Sequence, residues 1–97
     1  MVEPKWTNVR AKIRVHPASE GGRRSPLKPP YRPHVRFVGN ELRFGSQLDF
    51  LGVDEAPGGW EGDVTLSIGA LDQVPSPQTT FELLEGPLVV ATGQVLA

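Results

Sequence analysis

Residues 9–15 read Val-Arg-Ala-Lys-Ile-Arg-Val, with an apolar side chain at every odd position and a cation at every even one. Successive side chains of an extended chain point to opposite faces, so this segment buries a single apolar face as a β-strand and as nothing else. The same period of two recurs in Val35-Arg36-Phe37, Leu42-Arg43-Phe44, Leu48-Asp49-Phe50 and Val64-Thr65-Leu66-Ser67-Ile68. Phe81 to Leu84 and Leu88 to Leu96 add two runs of mainly aliphatic residues. No window holds helical spacing over three turns.

Turn chemistry separates these runs: His16-Pro17, Glu20-Gly21-Gly22, Gly39-Asn40, Ala56-Pro57-Gly58-Gly59, Val74-Pro75-Ser76-Pro77 and Glu85-Gly86-Pro87. About six strands joined by short turns describe a small all-β sandwich or barrel. A closed antiparallel barrel is expected, because closure removes the edges of so short a sheet. Ser25 to Pro33 holds four prolines in nine residues. Proline lacks the ladder donor, so this stretch is expected as a stiff crossover loop. With 97 residues the chain has room for one core, of radius of gyration about 13 Å. It is expected to form a single domain over residues 1–97, with 1–8 as an N-terminal extension.

The charges are unevenly placed. Residues 1–49 carry all ten Lys and Arg and four acids, whereas residues 50–97 carry seven acids and no base. Such asymmetry points to nucleic acid or an acidic partner, or else to two halves that attract each other within one fold.

A search for chemistry finds no enzyme. The chain has no cysteine, which excludes disulfides and thiolate zinc. It has no Gly-Lys pair for a phosphate-cradling loop and no Gly-x-Ser-x-Gly nucleophile elbow. Asp49-Phe50-Leu51-Gly52 matches the short Asp-x-x-Gly element of GTPases, but no phosphate loop precedes it. His16 and His34 are too few for a metal site, and the pairs Asp54-Glu55 and Glu61/Asp63 flank turns. No metal, cofactor or nucleotide is expected. The cationic N-terminus reads unlike a signal peptide, and no run approaches the roughly 18 apolar residues of a membrane helix. A cytoplasmic protein without membrane contact is the expectation.

The constellation that stands out is Glu20-Gly21-Gly22-Arg23-Arg24-Ser25-Pro26. Two glycines permit a tight turn from which Arg23 and Arg24 would project, with free backbone N–H groups beside them. That combination suits phosphate oxygens. Arg10, Lys12 and Arg14 on the cationic face of the first strand would extend the surface.

This segment, followed by Tyr31-Arg32-Pro33, resembles the signature of the C-terminal (third) domain of elongation factor Tu, here as a stand-alone domain. The similarity runs from about Val9 to Leu96. It takes in the strand Val9–Val15, Gly62-Asp63 with Val64, Leu66 and Ile68, and then Phe81, Glu85-Gly86 and the closing Val89 to Leu96. The resemblance implies a six-stranded antiparallel barrel that packs on a GTPase domain and touches the T-stem backbone of aminoacyl-tRNA. Arg23, Arg24, Glu85 and Gly86 fall at the tRNA-facing positions. Gly21, Gly22, Tyr31, Arg32 and Pro33 fall at the structural turn and crossover. The chain departs from the family at several of these places. It lacks the GTPase domain, carries Arg24 where the family usually has His, and has Leu27-Lys28 for an aromatic pair. Pro87-Leu88 stands where the family tends to have Gly and Arg. The departures strike the tRNA-facing set, so the expected function is a non-catalytic protein-interaction module linked to translation. Its partner would be a translation factor or GTPase, with exposed Trp6, Trp60 or Leu27 as anchors. Attachment to tRNA or another RNA through its phosphates is the alternative. Oligomeric state is left open.

Overall fold

The computed structural model describes residues 6–96. Six strands follow one another: β1 (Trp6–Val15), β2 (His34–Phe37), β3 (Phe44–Phe50), β4 (Glu61–Gly69), β5 (Thr80–Glu85) and β6 (Leu88–Val95). All neighbours are antiparallel, and the sheet closes on itself in the order β1-β4-β3-β2-β5-β6. The radius of gyration is 12.7 Å, as expected for one core.

The alternation read in residues 9–15 is realised. Val9, Ala11, Ile13 and Val15 are buried, and Arg10, Lys12 and Arg14 face outward. β1 also begins earlier than expected. Trp6, Thr7 and Asn8 pair with Gly69, Ile68 and Ser67, so they belong to the strand and not to an extension. Gly62 and Asp63 lie within β4, opposite Ile13 and Lys12. Inward side chains from every strand, among them Val35, Leu48, Leu66, Phe81, Leu83 and Ala91, complete the core.

The six antiparallel strands close in a ring, as expected, but the ring is uneven. β1 and β4 share nine ladder positions. β2 and β3 share only two, His34↔Gly45 and Val35↔Phe44. Beyond them the proline-rich crossover takes over the role of a strand. Leu48 N–H donates to the Tyr31 carbonyl at 2.9 Å. The buried Ser46 hydroxyl donates to the Pro33 carbonyl at 2.6 Å. An edge that β2 is too short to cover is thereby closed. The same crossover carries Leu27 inward, where its N–H and carbonyl both bond Ala56 at 2.8 Å. Leu27 is fully buried and is no surface anchor.

The strand expected over Leu42-Arg43-Phe44 starts only at Phe44. Asn40 Oδ1 accepts the Leu42 N–H at 2.9 Å, a local turn bond that competes with the ladder. Leu42 is left exposed in the β2–β3 hairpin.

Candidate functional site

The turn after β1 is built from its glycines. A single 3₁₀ turn spans Ala18–Glu20 and ends at Gly21, whose φ of 88° is left-handed. At Gly22 a Cβ would lie 2.0 Å from the His16 carbonyl oxygen, so only glycine fits there. The N–H groups of Glu20 and Gly22 donate to the Pro17 carbonyl, at 2.9 and 3.0 Å. That of Gly21 donates to Ala18 at 3.1 Å. The amides of Glu20, Gly21 and Gly22 are therefore used by the turn itself.

Arg23 does not project into solvent. Its guanidinium folds back onto the β5–β6 turn, with Nη1 3.3 Å from Glu85 Oε2. Nη2 donates to Ser25 Oγ at 2.9 Å. The same guanidinium lies 5.7 Å from the centre of the Tyr31 ring. The Tyr31 hydroxyl in turn donates to Glu85 Oε2. Burial, reinforced by the adjacent Glu85 carboxylate, pushes the tyrosine pKa well above its usual value, while Arg23 pulls weakly the other way. Gly86, with φ of 56°, presents its carbonyl to Arg43 Nη1 at 2.6 Å.

Arg23, Tyr31 and Glu85, from separate parts of the sequence, thus converge in one cluster, with Gly86 beside it. Arg43 joins them without any local signal in the sequence. Arg24 stands outside it, exposed. Arg32 points outward between two buried neighbours, Tyr31 and Pro33.

On the outer face of β1, Arg10 lies 3.7 Å from Asp63 and Arg14 lies 2.8 Å from Glu20. Lys28 meets Glu55 at 3.4 Å and Arg36 meets Glu82 at 2.8 Å. Among the described residues, four of the five ion pairs join the basic first half to the acidic second half. Among the described residues Lys12, Arg24, Arg32 and Arg43 have no carboxylate within 4 Å. Nor do any three His, Asp or Glu among the described residues converge as a metal site requires.

The opposite end of the ring offers different chemistry. The β2–β3 hairpin and the β4–β5 loop enclose an open groove of about 680 Å³. Phe37, Phe44 and Leu71 form its partly buried floor and pack on the core. The Phe37 and Phe44 ring centres are 6.0 Å apart. On the rim Val38, Leu42 and Val74 are 66%, 64% and 70% exposed. Sequence inspection missed this groove because its walls come from two loops about thirty residues apart. Of the expected anchors, Trp6 is 52% exposed on the outer face of β1, near Gln47 and Ser67. Trp60 instead packs edge-on against Phe50, with ring centres 5.8 Å apart.

Compared with known families and with curated proteins, the sequence matches no family model and no curated protein.

Proposed function

We propose that this chain is a non-catalytic protein-interaction module. It resembles the C-terminal barrel of elongation factor Tu and docks, in the cytoplasm, on a GTPase or translation factor. The observation that carries this proposal is the aromatic-floored groove rimmed by Val38, Leu42 and Val74. Exposed apolar side chains gathered about an aromatic floor suit a surface that another macromolecule covers. Bulky anchors seated in such a pocket supply most of the affinity of a protein complex. The resemblance is in keeping with docking, since the elongation-factor barrel packs on a GTPase domain.

Binding to RNA phosphates is the second reading, and the exposed Arg24 and Arg32 favour it. The engagement of Arg23 by Glu85, and of the turn amides by Pro17 and Ala18, weighs against it. Affinity capture from cell extract, with and without nuclease, separates the two. The expected result is one protein retained by the wild type, indifferent to nuclease and to Arg24→Glu, and lost with Leu42→Asp. Retention that survives Leu42→Asp but fails after nuclease treatment refutes the proposal.

A further inference from the structure

The groove continues past Val38. A smaller depression of about 430 Å³, also lined by Val38, takes in Thr80, Gln94 and Lys12. Val38 lines both, so the two adjoin there and together make a track across the sheet. Its course follows a single row of the sheet. Val38 N–H donates to the Thr80 carbonyl at 3.1 Å. Thr80 lies opposite Gln94, and Gln94 lies opposite Lys12. Three steps of about 4.8 Å between neighbouring chains place Lys12 roughly 14 Å from Val38.

The two ends of the track differ in kind. One is the aromatic-floored groove, whose wall also carries Asp72. At the other, Lys12 is exposed and has no carboxylate within 4 Å among the described residues. Asp63 is its partner across the β1–β4 ladder, but the Asp63 carboxylate is the one beside Arg10. Arg14 is held by Glu20, and Glu82 is held by Arg36. Glu61, also on this depression, lies opposite Arg14, two positions along β4 from the Lys12 row.

We propose that the track receives an extended segment of the partner protein carrying a large apolar side chain and, about four residues away, a carboxylate. The apolar group fills the aromatic-floored groove and the carboxylate meets Lys12. An extended chain advances about 3.3 Å per residue, so roughly 14 Å is about four residues. An even spacing also puts both side chains on the same face of the segment. A basic residue in place of the carboxylate would be repelled by Lys12. This inference rests on the protein-interaction reading and specifies the chemistry of its ligand.

The test uses synthetic ten-residue Ser/Thr/Gly peptides bearing one Phe and one Glu, separated by two to six positions. Binding is followed by amide NMR shifts, which register affinities into the millimolar range. Spacing of four should bind best, and replacing its Glu by Lys should weaken it about tenfold. Lys12→Glu should reverse that preference, and Leu42→Asp should abolish binding of every peptide. Binding that ignores spacing, or that Lys12→Glu leaves unchanged, overturns the inference. If Leu42→Asp still abolishes binding in that case, the groove itself stands. Binding undiminished in Leu42→Asp overturns both. Self-association seen by sedimentation, lost in Leu42→Asp and unaccompanied by peptide binding, makes a second copy the occupant and also overturns the inference.

Discussion

Arg23 illustrates how a residue's role depends on what folds against it. In the sequence it is one of two adjacent arginines beside a glycine pair, a pattern suited to phosphate. In the structure Glu85, 62 positions away, neutralises it while Tyr31 packs beneath it. Arg24, with the same local sequence, remains exposed. No local pattern distinguishes the two, because the deciding partner comes from another strand turn. Tyr31 makes the energetics testable. Its folded-state pKa lies above the unfolded value of 10.0. Below pH 10 the contribution to stability is present in full. Above it the unfolded chain loses the proton first, and stability falls by up to about 1.4 kcal/mol per pH unit. Tyr31→Phe should cost about 1 kcal/mol at neutral pH and remove that alkaline slope. Denaturant titrations from pH 8 to 11 measure both, and an unchanged slope would show that Tyr31 does not carry it.

At the scale of elements, the ring is strongest where alternation is cleanest. β1 and β4 were legible from their period of two, and nine ladder positions join them. The β2–β3 seam was not legible. Its closure depends on Tyr31 and Pro33 in a proline-rich crossover, and proline-rich sequence gives no strand signal. Leu42-Arg43 read as strand because alternation cannot reveal that Asn40 will bind the Leu42 amide. Amide hydrogen exchange should therefore be fastest in β2 and at the start of β3, and slowest in β1 and β4. Uniform protection around the ring would contradict the uneven closure. Gly93 tests the tightest contact between elements. It sits on β6 between Ile13 and Phe81, and a Cβ there would lie 2.5 Å from the Phe81 ring. Both neighbours are core residues with little freedom to retreat. Gly93→Ala should destabilise the fold by about 1–3 kcal/mol, readable as a lower denaturation midpoint.

For the molecule as a whole, the division of charge along the chain largely resolves into pairing within the fold. β1 is flanked by β4 and β6, and β2 by β5, so basic strands lie next to strands of the acidic half. Each such exposed pair contributes only about 0.2–1 kcal/mol, and salt weakens it. Their larger effect is to engage most of the arginines that an RNA backbone would need. The exposed Val38, Leu42 and Val74 on the rim of the aromatic-floored groove have no such internal partner among the described residues. Leu42→Asp should therefore leave the melting temperature within a degree or two while removing partner binding, since Leu42 is an exposed hairpin residue. Hydrogen exchange measured on the protein alone, with its captured partner, and with unfractionated tRNA tests this division most directly. Protection on partner binding should gather at residues 37–44 and 71–76, with no change on adding tRNA at moderate salt. Protection at residues 22–25 and 85–87, produced by tRNA and lost as salt rises, would contradict it.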